Sequence, residues 1–460
     1  MAATHRRAFL RGAGLAAAAL ATGAWAAQGG DRSRPNIVVI FADDMGYGDL
    51  ACYGHPTIRT PQLDRMAAEG MKMTSFYTAA PFCTPARGAI LTGRYPLRNG
   101  QFNNLGPAST GGLSTEEITL AEALKPAGYR TACIGKWHLG HMPDLMPTAR
   151  GFDEFYGLPY SNDMRRPWVQ TDIPLQLYRD TEPIEHPVNQ ELLTQRYTRE
   201  ATRFIRESGD DPFFLYLPHS MPHLPVRTGM RFRGDSRSGL YGDVIQSLDW
   251  STGEVLRTLH AQGVADNTLV LFTSDNGPWL DLPDRMLQEG NERWHSGSPG
   301  PLRGWKGNTY EGGMRVPGIA WWPGRIPANQ VSADMASTLD VFPTALTLAG
   351  VDAPADRVID GENLMPFLEG RASSPVDEFF YGRSAWVEGV REGPWKLRLA
   401  RHARPGLPEG EPVPPELFHL DRDPREQYNV ADREPEITER LTRRLVEFAS
   451  EVDGRTVLRG

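Results

Sequence analysis

Pro35-Asn36-Ile37-Val38-Val39-Ile40-Phe41-Ala42 is an apolar run that stops at two adjacent carboxylates, Asp43-Asp44. A strand with one wet face alternates apolar and polar side chains, whereas a run without alternation is buried on both faces. Such a strand needs cover on both sides, so the chain reads as α/β, with a large central, mostly parallel or mixed sheet flanked by helices. The run also places chemistry. Open α/β sheets gather ligands at the C-terminal edge of their strands, where Asp43 and Asp44 emerge.

The alternation of strands and helices continues along the chain. Thr60 and Pro61 predict a helix start, as N-cap and first helical residue. Glu116 to Ala127 reads as a second amphipathic helix, and Tyr129 to Ile134 as the strand after it. Phe213 to Leu217 and Thr268 to Thr273 are further buried strands, with a helix from Gly242 to Gln262 between them. Past Gly350 the texture changes. Short strand-like pieces, Glu378 to Tyr381, Trp386 to Arg391, Trp395 to Leu399 and Glu416 to Leu420, alternate with Gly and Pro. Pro435 to Val452 then carries Ile437, Leu441, Leu445, Phe448 and Val452 at helical spacing. The expected division is a large domain over 33–370 and a small C-terminal α+β domain over 371–460, an antiparallel sheet with one packed helix.

The first 26 residues stand apart. His5-Arg6-Arg7-Ala8-Phe9-Leu10-Arg11 is a twin-arginine pattern, followed by an Ala-rich stretch from Gly14 to Ala21 and small residues at Ala24-Trp25-Ala26. A basic start, a short weakly apolar middle and an A-x-A end are the parts of a bacterial export signal. Residues 1–26 are therefore expected to be a twin-arginine signal peptide, sending the mature chain to the periplasm or outside the cell. Its apolar part is too short for a membrane span. The remaining chain, about 430 residues, can bury a large core. A formal charge of -8 argues against a nucleic-acid partner, because phosphate backbones require a basic face. Three cysteines are too few for a disulfide framework, although Cys52 and Cys133 could pair.

Asp275-Asn276-Gly277 follows the apolar strand ending at Thr273, as Asp43-Asp44 follows its own. Brought to one sheet edge, Asp43, Asp44, Asp275 and Asn276 supply three carboxylates and an amide oxygen. That is a hard ligand set for Ca²⁺, with Mg²⁺ the second choice. Zn²⁺ more often recruits histidines. Either pair alone is an ordinary solvated turn, and only the two together favour a metal. Lys136 and His138, in Gly135-Lys136-Trp137-His138, could project to one side if that segment stays extended. An ammonium beside an imidazole suits anion binding and proton transfer. The proline-stiffened loop Pro218 to Pro225 holds His219 and His223, either of which could serve as acid or base. Lys306 lies in a Gly-rich turn that could aim its ammonium inward. Plain loop packing or solvation is the alternative for each. Phe82-Cys83-Thr84-Pro85-Ala86-Arg87 adds a thiol to these hard ligands. A thiolate prefers soft metals, so the cysteine is a mismatch unless it does not stay a cysteine.

In this order the segments resemble the type I sulfatases of the arylsulfatase group, in the alkaline-phosphatase-like superfamily, from Pro35 onward. Cys83, Pro85 and Arg87 meet the C-x-P-x-R pattern. Glu416-Leu417-Phe418-His419-Leu420, with Asp423 to Asn429, is similar to the family's E-L-Y-D-L…D-P-x-E-x-x-N. The resemblance implies a sulfuric ester hydrolase in which Cys83 is oxidised to Cα-formylglycine by a formylglycine-generating enzyme in the cytoplasm, before export. It implies Ca²⁺ bound by Asp43, Asp44, Asp275, Asn276 and an oxygen of residue 83. Arg87 and Lys136 would hold the hydrated aldehyde and the sulfate charge while one of its hydroxyls attacks sulfur. Lys306 and His223 would bind sulfate and assist departure of the alcohol or phenol, and His138 would deprotonate the second hydroxyl to release sulfate. Ser161 matches a position that contacts sulfate. His219 falls outside the match and is assigned to loop support. The implied substrate is an aryl or carbohydrate sulfate ester.

Two other readings stay open. One is a phosphodiester or phosphonate monoester hydrolase on the same fold, although formylglycine enzymes of that kind tend to show Asp-His where this chain has Asp275-Asn276. The other is a silent sulfate or glycan binder, should residue 83 remain a thiol. Specificity is expected in loops 162–185 and 281–301. Trp168, Trp279, Trp294 and His295 could form an aromatic platform or simply pack.

Overall fold

The computed structural model describes residues 34–400 and 413–456, so the export signal expected over 1–26 lies outside the described residues. Ten described strands form one sheet: β1 (Asn36–Ala42), β2 (Met71–Tyr77), β3 (Arg130–Lys136), β4 (Glu154–Leu158), β5 (Leu177–Arg179), β6 (Glu182–Glu185), β7 (Phe213–Pro218), β8 (Thr268–Ser274), β9 (Arg315–Trp321) and β10 (Gln330–Ser337). Their spatial order is β10-β2-β9-β8-β1-β7-β3-β4-β5-β6. β1 pairs in parallel with β7 and β8, and β3 in parallel with β7 and β4. β9 runs antiparallel to both β8 and β2, so β2 regains the direction of β1. The carboxyl ends of β1, β2, β3, β4, β7 and β8 therefore share one edge with the start of β9.

Every residue of β1 is buried, as its lack of alternation predicts. Val38, Ile40 and Ala42 join a core on one face with Leu63, Leu248 and Leu256. Ile37, Val39 and Phe41 join a second core on the other face with Leu120, Leu124 and Phe342. Cys52 packs against the first of these and Cys133 sits inside the second. The sheet lies between them, both are free thiols, and the pairing considered from sequence does not form.

Several local details differ from the sequence reading. Thr60 occupies the N-cap of helix Pro61–Glu69, but its hydroxyl does not cap. It accepts from Ala51 N–H at 2.9 Å and donates to Asp64 at 2.9 Å. The N–H groups of Gln62 and Leu63, which have no acceptor within the helix, are instead taken by Asp249, at 2.9 and 2.8 Å, from helix Gly239–Ala261. The helix expected over 116–127 starts later. Thr119 and Glu122 form a reciprocal capping box, so the helix spans Leu120–Leu124 and tightens into a 3₁₀ turn to Ala127.

A second sheet, in chain order, contains β11 (Glu378–Arg383), β12 (Trp386–Glu392), β13 (Trp395–Arg398) and β14 (Glu416–His419), all antiparallel. Helix Pro435–Glu451 buries Leu441, Leu445 and Phe448, and Phe448 stacks on Phe380 at 3.7 Å. Among the described residues, no helix is long and apolar enough to cross a membrane.

Asp249 gives a direct test of the cap. Burial raises its carboxyl pKa to about 7, against the two N–H bonds that favour ionisation. A carboxyl with a folded pKa above its unfolded value contributes fully below the unfolded value of about 4 and loses that contribution progressively as pH rises from there to about 7. Asp249→Ala should therefore cost about 2 kcal/mol at pH 5 and less at pH 8, measured by urea denaturation.

Candidate active site

The parallel strand ends deliver the candidate residues one element at a time. β1 leads into Asp43 and Asp44, and Asp44 turns sharply with φ 66°. Its N–H donates to Asp275 at 3.0 Å, which stitches the end of β1 to the end of β8. Lys136 is the last residue of β3. Beyond β2, Cys83 opens helix Cys83–Thr92, and Arg87 follows one turn later on the same face. Lys306 precedes β9, its N–H anchored on the Pro278 carbonyl at 2.9 Å. Ser161 follows β4.

These residues assemble an interlocked set of charges. Lys136 lies 2.6 Å from Asp43, and Arg87 lies 2.7 Å from Asp275 and 3.5 Å from Asp43. Lys306 contacts both oxygens of Asp44, at 2.6 and 2.9 Å. All six side chains are buried. Burial alone raises the Asp43 pKa, but the pull of Lys136, His223 and Arg87 holds it at about 2. Asp275 is shifted upward, by burial and then by Asp43. Asp43, Asp44 and Asp275 against Arg87, Lys136 and Lys306 leave the described cluster formally neutral.

Cys83 sits among these charges. Its Sγ is 3.4 Å from Lys306 Nζ, 3.5 Å from Asp43 and 4.0 Å from Asp44. Burial pushes its pKa well above the usual thiol value, more than Lys136 and Lys306 pull it down. At neutral pH it is a protonated thiol, poor both as nucleophile and as soft-metal ligand.

The oxygens around it suit a hard cation. Ligand atoms of Asp43, Asp44, Cys83 and His223 all lie within 4.8 Å of one another. The Asn276 amide donates to Asp44 at 2.7 Å, while its buried Oδ1 has no hydrogen-bond partner. Three carboxylates with an orphaned amide oxygen fit Ca²⁺ or Mg²⁺ better than a thiol-loving metal. His223, absent from the ligand set read from sequence, enters the cluster with Nε2 3.6 Å from Asp44.

The histidines take distinct positions. His138 does not continue an extended segment from Lys136, because its φ is 61°. Its Nε2 faces the Leu105 carbonyl at 2.9 Å, and a carbonyl only accepts, so Nε2 carries the proton. Nδ1 is buried and unpartnered, and burial with Lys136 drives the ring pKa well below its usual value. His138 is thus neutral, with one nitrogen open to a proton. His223 donates from Nδ1 to Leu224 O, leaving Nε2 toward Asp44. His219 packs by Tyr197 and meets Ser251 at 3.4 Å, its pKa lowered by burial to about 3.

A cavity of about 420 Å³ opens over Cys83, with His138, Ser161, His223 and Lys306 in its wall. Ser161 accepts from Lys136 at 3.2 Å. The four-residue aromatic platform does not form. Trp279 lines the cavity beside His223 and under Lys306, at ring distances of 5.6 and 4.8 Å. Trp168 is buried beneath Arg165, and Trp294 is 71 % exposed. The wall also holds residues that sequence reasoning missed, Asn104, Asp163, Asp281, Arg285 and Arg383. No motif marks them. Only their loops, 162–185 and 281–301, pointed to Asp163, Asp281 and Arg285.

The sequence model described as Sulfatase matches residues 35–351. The chain is 41% identical to N-acetylgalactosamine-6-sulfatase of Rattus norvegicus, across 89% of this chain and 84% of the relative. It is 38% identical to arylsulfatase A of Homo sapiens, across 88% and 86%. Among solved structures, a sulfatase from Pseudoalteromonas sp. superposes with TM-score 0.80 at 29% identity, covering 91% of this chain and 90% of that one. A phosphonate monoester hydrolase of Agrobacterium radiobacter, at 20% identity and TM-score 0.63 over 91% and 96%, shares the fold.

The environment of Cys83 predicts its chemistry before any modification. Protein carrying the free thiol should react with iodoacetamide at pH 8 at under about a tenth of the rate seen in urea, with peptide mapping across Cys83 as the readout.

Proposed function

Because this chain belongs to the sulfatase family, in the alkaline-phosphatase-like superfamily, we propose that it cleaves an aryl or carbohydrate sulfate ester using formylglycine at position 83 and Ca²⁺ held by Asp43, Asp44, Asp275 and Asn276. That the enzyme hydrolyses sulfate esters follows from the family; the cofactor and residue roles are the proposal. The observation that carries it is the buried Cys83 sulfur, placed 3.4 Å from Lys306, 3.5 Å from Asp43 and 4.0 Å from Asp44, at the meeting point of the cluster. When present, the formylglycine diol supplies the oxygen nucleophile that this thiol does not, and Ca²⁺ adds two positive charges to a cluster whose own charges cancel.

The chain's own residues then divide the remaining work. Arg87 locks Asp275 and the Lys136 carbonyl, at 2.7 and 2.8 Å, and so fixes the floor beneath residue 83. Lys136, between Asp43 and Ser161, presents its ammonium to sulfate oxygens, with the Ser161 hydroxyl beside it. Lys306 stands between Asp44 and residue 83, where it can neutralise charge on sulfate and on the departing oxygen. His223 Nε2, when protonated, gives its proton to the leaving alcohol. His138 Nδ1, neutral and unpartnered, would accept the proton of the second hydroxyl on residue 83, whose oxygen becomes the aldehyde carbonyl as the bond to sulfate breaks.

The cavity favours a hydroxyl-rich leaving group. Asp163, Asp281, Arg285 and Arg383 surround one aromatic ring, Trp279, which suits a sugar better than a flat apolar body. The relative named N-acetylgalactosamine-6-sulfatase is in keeping with that reading. Export by the twin-arginine route, to the periplasm or outside, fits the maturation step, since that route carries folded proteins and leaves time for a cytoplasmic formylglycine-generating enzyme. The phosphonate or phosphodiester alternative is less supported, because Asn276 stands at the position where its formylglycine enzymes tend to carry His.

Aryl sulfate should turn over faster than matched phosphate mono- and diesters; faster diester turnover would sink the assignment. Peptide mass spectrometry should find residue 83 lighter by about 18 Da in matured protein. Cys83→Ala should stay folded by circular dichroism while losing roughly 10³-fold or more in kcat/KM.

A further inference from the structure

The Gly-rich loop carrying Lys306 is fastened on both sides of the lysine to the second sheet and the segment that follows it. Arg303 donates to the Glu426 carbonyl at 2.8 Å, and Arg383 of β11 donates to the Gly307 carbonyl at 2.8 Å. Thr309 donates to Glu388 of β12 at 2.7 Å and accepts from Arg398 of β13 at 3.1 Å. The Tyr310 hydroxyl reaches both oxygens of Glu416 in β14 at 3.1 Å, and Arg398 holds the same carboxylate at 2.9 Å. Glu311 N–H donates to Glu426 at 2.7 Å. The Glu311 carboxylate accepts from Tyr77, Tyr381 and Lys396, at 2.6, 2.8 and 2.9 Å. Lys396 completes the knot by pairing with Glu426 at 2.8 Å.

Thr309, Glu311, Lys396 and Glu426 are buried. Buried ion pairs gain little net stability, because desolvation offsets their attraction, so stability alone is a weak reason for so many. What they do fix is a backbone. A lysine on a flexible four-carbon stem holds one position only if its Cα is held first. Glu416 and Glu426 are also the two glutamates of the Glu416 to Asn429 motif, for which the site itself provides no use.

We propose that this buried network is the positioning device for Lys306, with Glu388, Glu416 and Glu426 acting through the loop as positioning residues. The inference rests on the reading of Lys306 as the group that assists departure of the leaving oxygen. A displaced Lys306 then matters most where the leaving group is poor, as in an alkyl or sugar sulfate, and least for 4-nitrophenyl sulfate.

The test compares kcat/KM on those two substrate types for matured wild type, Thr309→Val, Glu426→Gln and Lys306→Ala, with formylglycine content and folded fraction measured for each. Thr309→Val and Glu426→Gln should each lower the ratio of poor to good leaving group by about tenfold, in the direction set by Lys306→Ala. Thr309→Ser, which keeps the hydroxyl, should restore it. A selective loss in Lys306→Ala with an unchanged ratio in both network variants would overturn the positioning proposal alone. An unchanged ratio in Lys306→Ala would overturn the role given to that lysine, and the proposal with it.

Discussion

The structure depends on burying three carboxylates and three cations together at one sheet edge. None of Asp43, Asp44, Asp275, Arg87, Lys136 and Lys306 could be buried singly, because an isolated charge in a low-dielectric interior costs several kcal/mol. Each needs its partner at hydrogen-bond distance, which ties together the ends of β1, β3 and β8, the helix after β2 and the loop before β9. The sheet topology makes that meeting possible. Because β9 reverses direction between β8 and β2, residues far apart in sequence emerge at one edge.

Neutrality of the bare cluster explains why a divalent cation suits it. Without one, the cations are already committed to carboxylates and offer little net attraction to an anion. Two added positive charges would free the lysines to face a sulfate group while keeping every carboxylate paired. The same logic accounts for Cys83. A thiol pushed toward its protonated form by burial is a poor ligand and a poor nucleophile, but an oxygen at that position would meet both the cation and the substrate.

Much of this was legible in sequence because it was local. The unalternating Ile37 to Ala42 run gave away a doubly buried strand, and carboxylates just beyond two such runs gave away the edge. Less local features were not. β2, Met71-Lys72-Met73-Thr74-Ser75-Phe76-Tyr77, hides among polar residues whose partners are remote, Lys72 on Cys52 O and Thr74 on Ser332 O. Thr60 does occupy the N-cap position of helix Pro61–Glu69, but the acceptor for its first N–H groups comes from remote Asp249, which no local pattern shows. His138 could share a side with Lys136 only on an extended segment, and a left-handed turn and the Leu105 carbonyl set its orientation instead. Arg383 lies beyond the Glu378 to Tyr381 run and carries no motif; it ends the observed strand, and only the docking of the second sheet carries it to the cavity wall.

The central claim is that the cluster acquires its affinity for sulfate from a bound hard cation. Isothermal titration of inorganic sulfate into the matured enzyme, first stripped with chelator and then saturated with Ca²⁺, tests it most directly. The account predicts that sulfate binds at least about tenfold more tightly with Ca²⁺ present, and that Ca²⁺ binds more tightly in sulfate by the same factor. Equal sulfate affinity with and without Ca²⁺ would contradict it.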